Sequence, residues 1–469
     1  MPSPTDVNPV RLDGCRRPAW PCNGALMKIY TRPPHAVILL LTVFLAQAQA
    51  QPTRPPAPET PLRHELPPEV AATRPTLERL LLQNILPFWH PAGIDREHGG
   101  YLLNHDPKGQ WKGPADKAIV TQSRTVWFFS RLMRSPYAKP EYLEAARHGF
   151  RFLRDRMWDR EHGGFYWSVD SRGEKPATPV KHLYGQAFGL YALSEYARVS
   201  GDPEAEALAR DLARLLEERA HDRVYGGYLE WFQRDWTPAD EGTPRVMGQP
   251  APDSKLMNTH LHLMEAFTAY VDLTHDPCAR ERLLELIAIQ TSAVVRKTVG
   301  ACTDKYRRDW TPLTGAPYDI VSYGHDIENV WLVIDACRAA GISTGPHRDL
   351  FKTLFDYSLR YGYDSKDGGF YDAGPFGAPA TRRDKVWWVQ AEGLVAALTM
   401  AAFTGDKEYA DCYLRTLAWT TSRQVDSEAG EWHEVLRPDG TVRGSKAHAW
   451  KGPYHNGRAV LQCLELLSR

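Results

Sequence analysis

The sequence predicts an all-α fold, six helical hairpins closed into an (α/α)6 barrel with short β-hairpins at the rim. Three observations predict it. First, a Gly-Gly turn followed by an aromatic recurs at Gly99-Gly100-Tyr101, Gly163-Gly164-Phe165, Gly226-Gly227-Tyr228 and Gly368-Gly369-Phe370, with a degenerate copy at Gly430-Glu431-Trp432. Adjacent copies stand 64, 63 and 62 residues apart, and the 142-residue gap after Gly226 has room for one further unit. Arg308-Asp309-Trp310-Thr311-Pro312 marks that unit, echoing Arg234-Asp235-Trp236-Thr237-Pro238. A repeat at this period is a stack of supersecondary units that bury their apolar faces against one another. Second, each unit carries two amphipathic segments. Third, several of them meet at a stop-and-restart signal: Gly201-Asp202-Pro203, His275-Asp276-Pro277 and Gly405-Asp406. There Gly closes one helix with positive φ, Asp caps the next, and Pro suits its first turn.

The elements follow in order. Residues 1–50 read as an N-terminal extension and an export signal. Met27 starts it, Lys28 and Arg32 supply the charge, Ala36–Leu45 the apolar run, and Ala46–Ala50 the small residues for cleavage near Ala50. The apolar run is too short for a bilayer span, so the mature protein is expected off the membrane, periplasmic or secreted. Residues 51–74 are a Pro-rich linker, and 75–469 form the barrel. Helical runs are expected over Pro75–Trp89, Ala118–Arg134, Leu183–Val199, Met257–Leu273, Ile327–Ala340 and Val389–Phe403. Inner helices of such a barrel are buried on all sides, which suits the Ala-rich run Ala391–Ala402. Alternating patterns over Phe165–Gly173 and Gly227–Trp236 predict the rim hairpins.

Composition narrows the function. The chain has 469 residues with 57 basic against 57 acidic side chains and no Lys/Arg-rich block, so nucleic-acid binding has no electrostatic support. Five cysteines follow the leader with no CxxC pair, which removes zinc-ribbon and redox motifs. No GxGxxG, P-loop or GxSxG occurs, so no cofactor and no metal are expected. Fifteen Trp and 21 Tyr favour a core rich in aromatics and a carbohydrate partner, since sugar faces stack on such rings.

Histidines concentrate in four places. In Asn258–Glu265, His262 shares a helix face with Asn258 and Glu265. In Gly324–Glu328, His325 lies three residues from Glu328, a carboxylate able to fix an imidazole tautomer. His455 sits in Pro453–Arg458 at a loop entering the last helix, after Trp450. Trp387-Trp388 opens a further inner helix, where Trp388 could wall a sugar pocket. Arg124 lies in an otherwise apolar helix and needs an anionic partner: a helix carboxylate, or the enediolate of a reacting sugar. All these positions begin alternate helices, which meet at one rim of an (α/α) barrel.

Lys181–Phe188 (KHLYGQAF), Asn258–Glu265 (NTHLHLME), Gly324–Glu328 (GHDIE), Trp387–Glu392 (WWVQAE) and Pro453–Arg458 (PYHNGR) together resemble the N-acylglucosamine 2-epimerase family, in particular its cellobiose 2-epimerase branch, over about residues 75–469. The resemblance implies the (α/α)6 fold and a sugar 2-epimerase of gluco- and manno-configured reducing ends. It implies His325 and His455 as the acid/base pair, His262 assisting ring opening, and Arg124 on the enediolate. It further implies Tyr184, Asn258 and Glu328 as groups that hold hydroxyls or orient histidines, with Trp388 and Trp450 stacking the sugars; Glu265, on the face shared with Asn258 and His262, is expected to bind sugar hydroxyls. A small-molecule sugar is the expected partner and the chain is expected to be a monomer or weak homodimer. Aldose–ketose isomerisation, N-acylglucosamine or mannose epimerisation, a secreted (α/α)6 glycoside hydrolase and a sugar-binding module remain as alternatives.

Overall fold

The computed structural model describes residues 64–248 and 251–468. The expected export signal and most of the linker lie outside the described residues.

Six helices form an inner ring: α2 (Ile119–Leu132), α4 (Leu183–Ser200), α6 (Met257–Thr274), α8 (Tyr323–Ala340), α10 (Trp387–Thr404) and α12 (Tyr454–Leu466). Each packs on the next, and α12 returns to α2, closing the barrel. Outside them lie α1 (residues 74–89), α3 (Pro140–Phe152), α5 (Pro203–Leu215), α7 (Pro277–Ala288), α9 (Arg348–Gly362) and α11 (Lys407–Trp419). The first of these pairs with α12, so the first hairpin helix and the last inner helix hold the ring together. The restart signals work as expected except at Asp406, which stands at the N-cap without a side-chain capping bond. Gly201, His275 and Gly405 adopt positive φ, and Asp202 and Asp276 accept from the N–H two residues on.

The rim differs in detail from the expected hairpins. The strand leading into each of the first five inner helices pairs with a strand of the following unit, as in Lys117–Ala118 with Ser168–Val169, Lys181–His182 with Trp231–Phe232, and Lys385–Val386 with Val435–Leu436. The Gly-Gly turns close smaller bridges, such as Trp158 to Phe165 and Tyr363 to Phe370. The degenerate fourth unit makes its turn between Val295–Arg296 and Ala301–Cys302, with Cys302 where other units carry the aromatic. Arg234 and Arg308, from the two echoing strings, clamp Asp159 and Asp222.

Those aspartates belong to a motif absent from the expectations. Asp95, Asp159, Asp222, Asp364 and Asp426 each accept through Oδ1 from N–H groups two and three residues on, shaping the turn. Through Oδ2 they hold Lys117, Lys181, Lys255, Lys385 and Lys446 at 2.7, 3.1, 3.0, 2.8 and 2.9 Å. A second latch joins turn to helix: Gln122, Gln186 and Gln390 each bond both the N–H and C=O of the aromatic after Gly-Gly. Asp159 and Lys181 are fully buried. Removing one member of such a pair strands the other charge, so Asp159→Ala costs about 3–5 kcal/mol of folding free energy. Denaturant titration checks this, and a loss below about 1 kcal/mol would show that the pair is not a structural clamp.

Candidate active site at the rim of the inner helices

Every candidate residue on an inner helix but Glu265, the ninth of its helix, falls in the first two turns. Tyr184, Asn258, Trp388 and His455 are second residues of their helices, and Arg124, His262 and Glu328 are sixth residues. The same spacing brings in Glu392, also a sixth residue, and Phe188. Two layers result, facing the barrel axis at the end where the helix N-termini converge. Positive partial charge collects there, favouring an anionic intermediate.

The KHLYGQAF segment shows how the sequence builds the rim. Lys181 grips Asp159, the His182 ring accepts from the Tyr184 N–H at 3.1 Å, and Gln186 latches the preceding turn. Tyr184 is left on the inner face, its ring edge-on to His262 at 5.1 Å. Phe188 packs against both the His262 ring and the Arg124 guanidinium.

Three histidines face this space. His455 donates from Nδ1 to Glu392 at 2.7 Å, and His262 from Nδ1 to Glu265 at 2.9 Å. Each carboxylate fixes the tautomer and leaves Nε2 to carry a lone pair. His325 packs on Trp388, ring centres 4.7 Å apart, and Trp388 also meets His455 at 5.7 Å, so the two imidazoles flank one indole. Glu328 does not orient His325, contrary to its i,i+3 spacing: its Oε1 accepts from Arg458 at 2.7 Å and its Oε2 is buried without a partner. The side chain points along the barrel interior, where the buried cation outcompetes a neutral imidazole.

Arg458 is fully buried, and its Nη2 also reaches Glu392 at 2.8 Å. Its Nη1 donates to Glu265 and to the Tyr454 hydroxyl, and Tyr454 donates in turn to Glu265 at 2.5–2.6 Å. Glu328, Glu392 and His455 bring one ligand atom each within 4.8 Å, as a metal site would. Arg458 bonds both carboxylates, so its guanidinium stands where a cation would sit. Glu392, Tyr454 and Arg458 were not singled out in the sequence, although each lies inside a motif string.

Arg124 behaves otherwise. It donates to the Tyr184 hydroxyl at 3.0 Å and to the Trp450 carbonyl at 3.2 Å. Among the described residues no carboxylate lies within ion-pair distance, so the helix-carboxylate alternative is not realised. Trp450 is 39% exposed, with Trp167 and Tyr184 beside it at the mouth. Asn258 keeps a buried, unpartnered Oδ1 at the same rim.

Burial depresses the imidazoles, although a near-neutral pKa would have suited proton exchange. It takes His325 down to about 3, with His262 adding to the effect. It holds His455 well below the ordinary value, assisted by Arg124, Arg458 and His262, and lowers His262 against the pull of Glu265. Burial pushes Glu328 well up, with Glu392 adding to it, and raises Glu392 against Arg458. It opposes ionisation of Glu265 too, but there Arg458 and His262 prevail and bring the carboxyl to about 2. The ligand-free site therefore holds neutral imidazoles, an unpaired Arg124 and a firmly ionised Glu265.

Gly324 permits the His325–Trp388 contact. A Cβ there would lie 2.5 Å from the Trp388 ring and 2.9 Å from Val389. Gly324→Ala displaces the indole, lowering kcat/KM about tenfold or more at a stability cost of about 1–3 kcal/mol. Steady-state kinetics beside thermal melts check this, and unchanged kcat/KM would mean the ring position is immaterial.

The family model described as N-acylglucosamine 2-epimerase (GlcNAc 2-epimerase) matches residues 100–459. The cellobiose 2-epimerase of Bacteroides fragilis is 32% identical over 394 residues, covering 83% of this chain and 97% of that protein. The cellobiose 2-epimerase of Ruminococcus albus is 34% identical over 406 residues, with the same coverage of 83% and 97%. The solved structure of cellobiose 2-epimerase from Spirochaeta thermophila superposes with a TM-score of 0.75 at 34% identity, over 86% of this chain and 98% of that one.

Proposed function

The chain belongs to the N-acylglucosamine 2-epimerase family, and we propose that it interconverts gluco- and manno-configured reducing-end residues of β-1,4-linked disaccharides by moving a proton on and off carbon 2. One observation carries this reading. Three histidines converge on a rim where Arg124 is a buried cation with no carboxylate at ion-pair distance among the described residues.

The chemistry follows from the site. In the open-chain sugar the aldehyde acidifies the hydrogen on carbon 2. A neutral imidazole takes that hydrogen as a proton, and a cis-enediolate forms beside the Arg124 guanidinium. Rotation about C2–C3 offers the other face to the second imidazole, which takes a proton from water at Nε2 and delivers it to carbon 2, while the first imidazole gives its proton up to water. His325 has no carboxylate at hydrogen-bond distance among the described residues and enters as the base; His455, bonded to Glu392, is fitted to carry the returning proton. In the reverse direction the roles exchange. The low imidazole basicity is no obstacle, because each imidazolium forms opposite the enediolate anion. Trp388 and Trp450 stack the sugar rings, and Tyr184 and Asn258 hold hydroxyls.

Incubation with cellobiose, mannobiose, mannose and N-acetylglucosamine, followed by product identification, tests the reading. Cellobiose giving glucosyl-mannose supports it. A ketose as the main product would replace it with aldose–ketose isomerisation, and released monosaccharide with glycoside hydrolysis. We also infer export through the Met27–Ala50 signal and action as a monomer or weak homodimer, since one chain supplies every site residue. N-terminal sequencing of the secreted fraction and light scattering check these. Among the described residues no helix is long and apolar enough to cross a membrane.

A further inference from the structure

We propose that Glu265 is a positioning residue for His262, clamped by Tyr454 and Arg458, and does not bind the sugar. The proposal rests on the epimerase reading for what His262 does, and on geometry alone for what Glu265 does. Both Glu265 oxygens are used. Oε2 accepts from His262 Nδ1 at 2.9 Å and from Tyr454 at 2.5 Å; Oε1 accepts from Tyr454 at 2.6 Å and from Arg458. The residue is 4% exposed, so no oxygen is left facing a hydroxyl of the substrate.

The clamp has a chemical consequence. Glu265, ionised and acceptor-only, obliges His262 to carry its proton on Nδ1 and to present Nε2 as a lone pair. That is the form needed to open a sugar ring. Nε2 takes the proton of the anomeric hydroxyl, the C1–O5 bond breaks as the carbonyl forms, and O5 gains a proton from water. Tyr454 is the neighbour of His455 on α12, so one helix start fixes both the ring-opening and the proton-returning histidine. The charged and titratable groups facing His262 are Glu265 on its own helix, Arg124 on α2, Tyr184 on α4, His325 on α8, and His455 and Arg458 on α12.

The test combines kinetics with a readout independent of turnover. Glu265→Gln and Tyr454→Phe are made in the full chain, with and without His262→Asn. The ring nitrogens of His262 are followed by 15N NMR in the ligand-free enzyme, assigned by difference from His262→Asn. Positioning groups behind a functional imidazole carry about 10–100-fold, so Glu265→Gln is expected to lower kcat by that factor with KM little changed. It should also move the acid limb of the pH profile downward, because Glu265 supports the His262 proton. The His262 nitrogen shifts should report loss of the fixed tautomer. Tyr454→Phe should do the same to a smaller degree, which keeps the test alive if Glu265→Gln does not fold. On the His262→Asn background neither change should cost anything further. The proposal is overturned if Glu265→Gln raises KM tenfold with kcat and the His262 shifts unmoved, or if its cost persists without His262. A wild-type enzyme that epimerises nothing would sink the functional reading while the NMR result still decided the role of Glu265.

Discussion

Replacing His325 or His455 by alanine lowers epimerisation about 10³-fold or more while leaving the barrel folded. Proton transfer by a positioned side chain contributes about 10²–10⁴-fold, and each histidine serves one face of carbon 2, while the third, His262, is bonded to Glu265 and assigned to ring opening. The two should differ in what else they disturb. His455 is tied to Glu392, which shares Arg458 with Glu328, so its removal perturbs a buried charge cluster. His325 touches the protein through Trp388 and leaves that cluster intact. Thermal melts should therefore show a larger stability change for His455→Ala than for His325→Ala, while activity collapses in both. With burial holding His325 at about 3, kcat/KM should show no inflection from this residue near the ordinary imidazole value. Turnover near wild type in either variant would remove that histidine from the reaction.

Arg124→Met lowers kcat/KM by about 10²–10³-fold, the usual cost of losing a preorganised donor to a developing oxyanion. The expected effect on stability runs the other way. Arg124 has no carboxylate partner among the described residues and an unpartnered Nε, so an apolar chain of similar length relieves a buried, incompletely satisfied charge. A variant equally or more stable and nearly inactive is the signature of a group kept for chemistry. If Arg124→Met unfolded the protein and spared turnover per folded molecule, Arg124 would be a structural residue. Arg124→Lys restores charge without the planar fork and should recover only part of the rate.

The architecture was legible because its signals are repeated. The Gly-Gly-aromatic turn and the helix restarts recur, and repetition turns weak local cues into a barrel of known order. Helix starts were less legible. α8 and α10 begin at Tyr323 and Trp387, several and two residues before the runs expected from apolar periodicity. Their first two turns carry His325, Glu328 and Trp388, which face an interior that is polar at this end, and Asp326, which latches the Cys302 turn, so the apolar pattern fades where the site begins. The clamp of Asp and Lys was missed because its partners lie 20 to 33 residues apart and each looks like a solvated charge. The orientation of Glu328 toward Arg458 was equally hidden: spacing along a helix says which residues share a face, not which cation from another helix arrives there. Aligning the six inner helices on their sixth residue would have found Glu392 beside Arg124, His262 and Glu328.

Running the reaction on cellobiose in deuterium oxide and locating the label measures the central step directly. Proton removal and return at carbon 2 by imidazoles predicts deuterium on carbon 2 of the epimerised product, lost together with activity in His325→Ala and His455→Ala. Product formed with carbon 2 unlabelled and deuterium on carbon 1, or label on carbon 2 in both variants at the wild-type rate, would contradict it.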